Sequence, residues 1–141
     1  LRISKLNINA HIEQVGVTAN NAMGVPSDMW NAGWYVGSAK PGQGGAAFMD
    51  GHSTASRNGL FGKLDTLAAG DKLEVQRNDG VVIRYTVAKV SVVNRHKVDM
   101  AAMLQPYNMY KNGLNILSCV GQWVESEKTL ENRVLVYAVQ D

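Results

Sequence analysis

The run KLEVQRNDGVVIRYTVAKVSVV, residues 72 to 93, constrains the fold more than any other stretch of the chain. Apolar and polar residues alternate on both sides of Asn78-Asp79-Gly80, and an Asp-Gly pair supplies the positive φ angles that tight connections demand. Alternation with a period of two buries one face of a strand, so the stretch predicts a hairpin with strands over 72–77 and 81–93. Related patterns recur along the chain. RISKLNINAHI (2–12) reads as an opening strand with a kink, and GGAAFMDGH (44–52) as a small-residue strand ending at Gly51-His52. LNILSC (114–119) and NRVLVYAVQ (132–140) read as two further strands. Only two pieces have helical character. LFGKLDTL (60–67) sets Leu60, Leu64 and Leu67 on one face, and VDMAAMLQ (98–105) carries Asp99 as N-cap. The expected class is all-β, a barrel or sandwich with one to three short helices as lids. A 13-residue connection, VGQWVESEKTLEN, joins the last two strands and has the length of a functional loop.

With 141 residues the chain fits one domain over 1–141, and 45% hydrophobic against 18% charged residues provides for a packed core and excludes disorder. The net charge of +2 is scattered. Its densest run, Arg95-His96-Lys97, is too short for a nucleic-acid groove. No apolar run approaches the roughly 18 residues of a membrane span. The chain opens on Leu1-Arg2-Ile3 without an initiator Met, which reads as a fragment whose N-terminal membrane anchor has been removed.

Cys119 is the single cysteine, so no internal disulfide can form, and with three dispersed histidines it does not approach metal-ligand spacing. No metal and no cofactor are expected. Thiol chemistry needs a thiolate, a proton carrier and a donor for the negative charge that develops on an attacked carbonyl. Taken alone, Cys119 reads as a small buried hydrophobe and Arg133 as a strand-edge arginine snorkelling to water. His11 reads as structural or superficial, and His96, between Arg95 and Lys97, as exposed. His52 differs, because it follows Gly51 at the end of an apolar strand and should stand at a barrel rim.

Taken together, Gly51-His52-Ser53, Ser118-Cys119 at a strand end and Arg133 opening the next strand resemble the sortases, cysteine transpeptidases of mainly Gram-positive cell surfaces. The likeness extends over nearly the whole chain. ISKLNINAHIEQVGV is similar to the family's first strands, with Ser4 where Pro is common and His11 in place of a second Pro. Met23, Pro26, Gly33-Trp34-Tyr35, Pro41-Gly42 and Gly51-His52 follow the order of the class E and class F branches, and LFGKLDTLAAGDKLEV fits F-x-x-L-x-x-L-x-x-G-D-x-V/I-x-V. The departures lie near the cysteine. Where the family has T-L-x-T-C, this chain has Asn115-Ile116-Leu117-Ser118-Cys119, and Val120-Gly121 replaces a common Gly-Gly.

The resemblance implies a closed β-barrel of about eight strands. It implies that Cys119 attacks a carbonyl of an LPxTG-like sorting peptide to give a thioacyl enzyme, with His52 as general acid and base and Arg133 donating to the oxyanion or the peptide backbone. Ser118, Met103 and Leu104 are the expected substrate contacts, with Met100 a further candidate from the 98–113 stretch. The expected partners are the sorting peptide and an amine acceptor such as a peptidoglycan precursor, and the expected setting is the outer face of the cell membrane, as a monomer. Two alternatives accompany this reading: a catalytically silent barrel that binds sorting peptides, and a sortase that polymerises pilins.

Overall fold

The computed structural model describes all 141 residues. Nine strands form one sheet: β1 (Arg2–Ile3), β2 (Ile8–Asn9), β3 (Ile12–Val15), β4 (Ala32–Tyr35), β5 (Ala46–Asp50), β6 (Lys72–Gln76), β7 (Val82–Asn94), β8 (Gly113–Val124) and β9 (Thr129–Gln140). Their spatial order is β2-β1-β6-β7-β9-β8-β5-β4-β3. The sheet curls into a half-barrel whose two end strands are joined in sequence by Ala10 and His11 alone. A single helical turn, α1 (Met100–Met103), and three short 3-10 turns complete the chain.

The hairpin of β6 and β7 forms as its alternation requires, with Leu73 opposite Tyr85 and Val75 opposite Ile83, all four buried. Gly80 takes the left-handed conformation at its turn, with φ 86°. The opening stretch differs from one kinked strand. A 3-10 turn over Ser4–Leu6 and a left-handed Asn7 fold Arg2–Ile3 back onto Ile8–Asn9, so the segment supplies β1, β2 and β3 separately. In the 60–67 piece only Leu64–Thr66 is helical, as a 3-10 turn.

A second correction concerns the 13-residue connection. β8 runs on to Val124 and β9 begins at Thr129, so most of the expected loop is a hairpin with Trp123 opposite Leu130. The register shifts between Val120 and Trp123, around Gly121 at φ 98°. A bulge of this kind bends the hairpin just beyond Cys119.

Most of the core lies on one face of the sheet. Met49, Leu114, Ile116, Val134, Val136, Phe61 and Leu64 belong to it. A smaller cluster of Phe48, Met103 and Leu135 lies apart, flanked by Leu104 and Leu117. The alternation divides β8 between the two: Leu114 and Ile116 face the large core, while Leu117 faces the small cluster. Coverage on both faces explains why LNILSC reads as a continuous apolar run.

Candidate active site

Register is what gathers the residues. β5 runs parallel to β8 and pairs Asp50 with Leu117, and β8 runs antiparallel to β9 and pairs Cys119 with Arg133. His52 lies two residues beyond Asp50, and Cys119 two residues beyond Leu117. Positions 52, 119 and 133 therefore fall at the same end of three adjacent strands. Side chains directly opposite each other share a face, which puts the Cys119 thiol and the Arg133 guanidinium on one side of the sheet.

Each side chain is held by identifiable neighbours. His52 Nε2 lies 2.7 Å from the Pro26 carbonyl oxygen. A carbonyl only accepts, so Nε2 carries a proton and Nδ1 is the ring atom left to gain or lose one. The His52 carbonyl accepts from the Phe61 N–H at 3.0 Å. Gly51 has a steric reason: a Cβ there would come within 2.5 Å of the Phe61 ring. Arg133 folds back over the start of its own strand. Its Nη1 donates to the carbonyls of Leu130 and Asn132, and its Nη2 to Thr129 Oγ1, each at 2.9 Å. Two of the five guanidinium donors remain for an incoming group. Cys119 is half-buried and unbridged.

Cys119 and Arg133 line a groove of about 690 Å³ in which apolar residues predominate. One wall comes from Val17, Met23 and Val25, another from Val98, Met100 and Leu104, and Tyr35, Phe48 and Leu117 rise from the sheet between them. Arg95 closes one part of the rim. It forms a two-pronged ion pair with Glu127, at 2.8 and 2.7 Å, and its Nη1 donates to the Glu131 carbonyl at 3.3 Å. That pair first, with help from His96, pulls the Glu127 carboxyl down to about 2. His96 itself is exposed, and so is His11.

Two expected substrate contacts lie elsewhere. Ser118 is 1% exposed and donates its hydroxyl to the Gly51 carbonyl at 2.8 Å. Alternation sends 117 and 119 to the groove and therefore sends 118 to the opposite face, where the hydroxyl clasps the strand end that carries His52. Met103 is 0% exposed and packs beneath the groove with Phe48 and Leu135. Leu104 and Met100 do line the groove. The N-cap at Asp99 forms as expected, accepting from the Ala102 N–H at 3.1 Å.

Two side chains carry more than the sequence suggested. Asn115 is 0% exposed, and its Nδ2 donates to the carbonyls of Met103 and Gln105 at 2.9 and 2.8 Å, tying the α1 segment to the sheet. Asp50 lines the groove, is 6% exposed, and has a carboxylate oxygen, Oδ1, with no hydrogen-bond partner. The only signal for it in the sequence is an acid closing the otherwise apolar run Ala46-Ala47-Phe48-Met49.

A family model described as Sortase domain matches residues 1–141. The chain belongs to the sortase family. Solved structures agree on the fold. It is similar to a Clostridium perfringens sortase D5 transpeptidase at 20% identity and TM-score 0.69, with 99% of this chain and 76% of that one covered. It is similar to Streptococcus agalactiae sortase C1 at 19% identity and TM-score 0.71, covering 99% and 66%. A lid mutant of Corynebacterium diphtheriae sortase A matches at 22% identity and TM-score 0.63, covering 90% and 68%. These relatives are of classes A, C and D, so the likeness to classes E and F rests on the sequence motifs. No curated protein matches the chain. Family membership makes transpeptidation the general class of activity, with sorting signals and amines as the family's substrates and the cell surface as its place of action. No helix of this sortase domain is long and apolar enough to cross a membrane.

Proposed function

We propose that this sortase domain cleaves an LPxTG-like sorting signal through a thioacyl intermediate on Cys119 and transfers the acyl group to an amine, anchoring surface proteins to the cell wall. The observation that carries the reading is the direct pairing of Cys119 with Arg133 on the wall of an apolar groove, with the Cys119 strand adjoining the one that leads to His52. A groove of that size and character suits an extended apolar peptide.

In the first step the Cys119 thiolate attacks the carbonyl carbon before the scissile bond, and the carbonyl π electrons move to oxygen. The two free donors of Arg133 stabilise that oxyanion or hold the adjacent peptide backbone. Collapse breaks the C–N bond, and the leaving amine takes a proton from His52 Nδ1. In the second step the incoming amine gives a proton back to Nδ1 as it attacks the thioester, and the sulfur departs as thiolate. Ser118 acts as a positioning residue through the Gly51 carbonyl. Leu104 and Met100 contact the peptide, and Met103 supports them from below. The acceptor is a peptidoglycan-precursor amine, and the reaction takes place at the outer face of the membrane.

Incubation with an LPxTG peptide and hydroxylamine tests this. Hydroxamate is expected from wild type, none from Cys119→Ala, and a decrease of at least about 100-fold from His52→Ala and Arg133→Ala. Peptide binding without product from the wild type would instead identify a silent sorting-peptide receptor.

A further inference from the structure

An imidazole that carries protons on one nitrogen has to be held by the other. The Nε2 of His52 donates to the Pro26 carbonyl at 2.7 Å, and Pro26 has no backbone N–H of its own by which to be fixed. The N–H next to that carbonyl belongs to Ser27, and it donates to Glu13 Oε1 at 2.6 Å. Both bonds therefore end on one peptide unit. No peptide bond in the chain is cis, so the C=O and N–H of this planar group point in opposite directions. Glu13 and His52 grip the two ends of a single rigid plate.

The sheet places them for this. Glu13 on β3 lies opposite Gly33 of β4, which lies opposite Asp50 of β5, two residues before His52. A Cβ at Gly33 would come within 3.0 Å of Pro26 Cγ, so the bare glycine lets the proline ring lie against β4. Three donors fix the carboxylate: the Ser27 N–H, the Ser27 hydroxyl at 3.1 Å and Asn31 Nδ2 at 2.9 Å. Donation from Asn31 first, then from the Ser27 backbone, holds the Glu13 carboxyl below the usual carboxylate range, which keeps it an acceptor at neutral pH.

In hydrolytic triads a carboxylate bonded directly to the ring sets the tautomer and orientation of the histidine. Here a peptide bond stands between the two groups. We propose that Glu13 is a positioning residue for His52, acting through the Pro26–Ser27 peptide unit. Its carboxylate fixes the plane of the amide, the amide carbonyl fixes Nε2–H, and Nδ1 is left free for proton transfer. The anion also polarises the amide that donates to it, which makes the Pro26 carbonyl a stronger acceptor when the ring gains charge.

This inference rests on the acid–base reading of His52, and ring signals read without turnover separate the two. In protein carrying isotope-labelled histidine, the Nε2–H resonance of His52 is identified by its loss in His52→Ala. Its exchange with water is measured alongside kcat and KM for hydroxamate formation from an LPxTG peptide. Glu13→Ala should speed the exchange at least about tenfold and lower kcat about 10- to 100-fold, with KM within about twofold of wild type. Glu13→Gln should bring both back to within about fivefold of wild type, because a carboxamide oxygen still accepts from the Ser27 N–H and Asn31 can turn its own carboxamide over to meet it. Circular dichroism and melting curves establish that the variants are folded. Unchanged exchange or unchanged kcat in Glu13→Ala overturns the inference, and so does a Glu13→Gln variant as impaired as Glu13→Ala. A wild type that forms no hydroxamate, but whose Nε2–H exchange quickens in Glu13→Ala and recovers in Glu13→Gln, upholds the positioning and overturns the transpeptidase reading alone.

Discussion

At the scale of single residues, Asp50 and Ser118 show how alternation along a strand decides what a polar group can do. Ser118 precedes the nucleophile, yet its hydroxyl is 1% exposed and spent on Gly51, one residue from His52. Asp50 lies on the groove side and its Oδ1 is paired with nothing. The acid therefore sets a pH dependence whose sign follows from its environment. Burial raises the carboxyl from 3.8 in a free chain to about 7 in the fold. Below about pH 4 it is protonated in folded and unfolded chains alike and carries no penalty. Between that pH and about 7 the unfolded chain releases its proton first, so stability drains away as pH rises, by an amount on the order of 4 kcal/mol once ionisation is complete. Asp50→Asn removes the titrating group. Denaturant titrations from pH 4 to 8 should show the variant gaining on wild type as pH rises, with the difference levelling off above about 8. Parallel stability curves for the two proteins would contradict the assignment.

At the scale of elements, the groove wall depends on a tether the sequence disguises. The segment carrying Val98, Met100 and Leu104 has only one turn of helix, too short to be stable alone. Asn115 on β8 holds it by two hydrogen bonds to the carbonyls of Met103 and Gln105. Asn115→Ala should cost about 1–3 kcal/mol, the range for leaving buried carbonyls unpaired. Hydrogen exchange should quicken across 100–112 while the β6–β7 hairpin stays protected; unchanged exchange in that segment would show that the tether is dispensable. Residue chemistry alone marks Asn115 as a change of shape in an apolar run, because nothing local says which backbone it reaches. The β6–β7 hairpin and the Asp99 cap were legible for the opposite reason, since their partners lie within a few residues of each other. The β8–β9 hairpin was hidden because charged Glu125, Glu127 and Lys128 mask its turn, and because the bulge at Gly121 breaks the alternation.

At the scale of the whole molecule, the candidate site is a product of strand order. The parallel β5–β8 pairing and the antiparallel β8–β9 pairing bring His52, Cys119 and Arg133 to one end of three neighbouring strands, although the first two are 67 residues apart. No local pattern predicts a parallel pairing across such a separation. The family motifs supplied the three residue identities, and the fold supplies their common edge. The groove-side placement of Asp50 and the core-side placement of Ser118 depend on which face of the curled sheet each position occupies, and a one-residue difference decides that. The central claim is that the thiol at 119 is the atom acylated by substrate. Intact-mass spectrometry of protein quenched in acid seconds after mixing with an LPxTG peptide, followed by peptide mapping, measures this directly. The account predicts an adduct equal in mass to the peptide fragment before the scissile bond, located on Cys119 and released by hydroxylamine. An unmodified protein alongside cleaved peptide, or an adduct on any other residue, would contradict it.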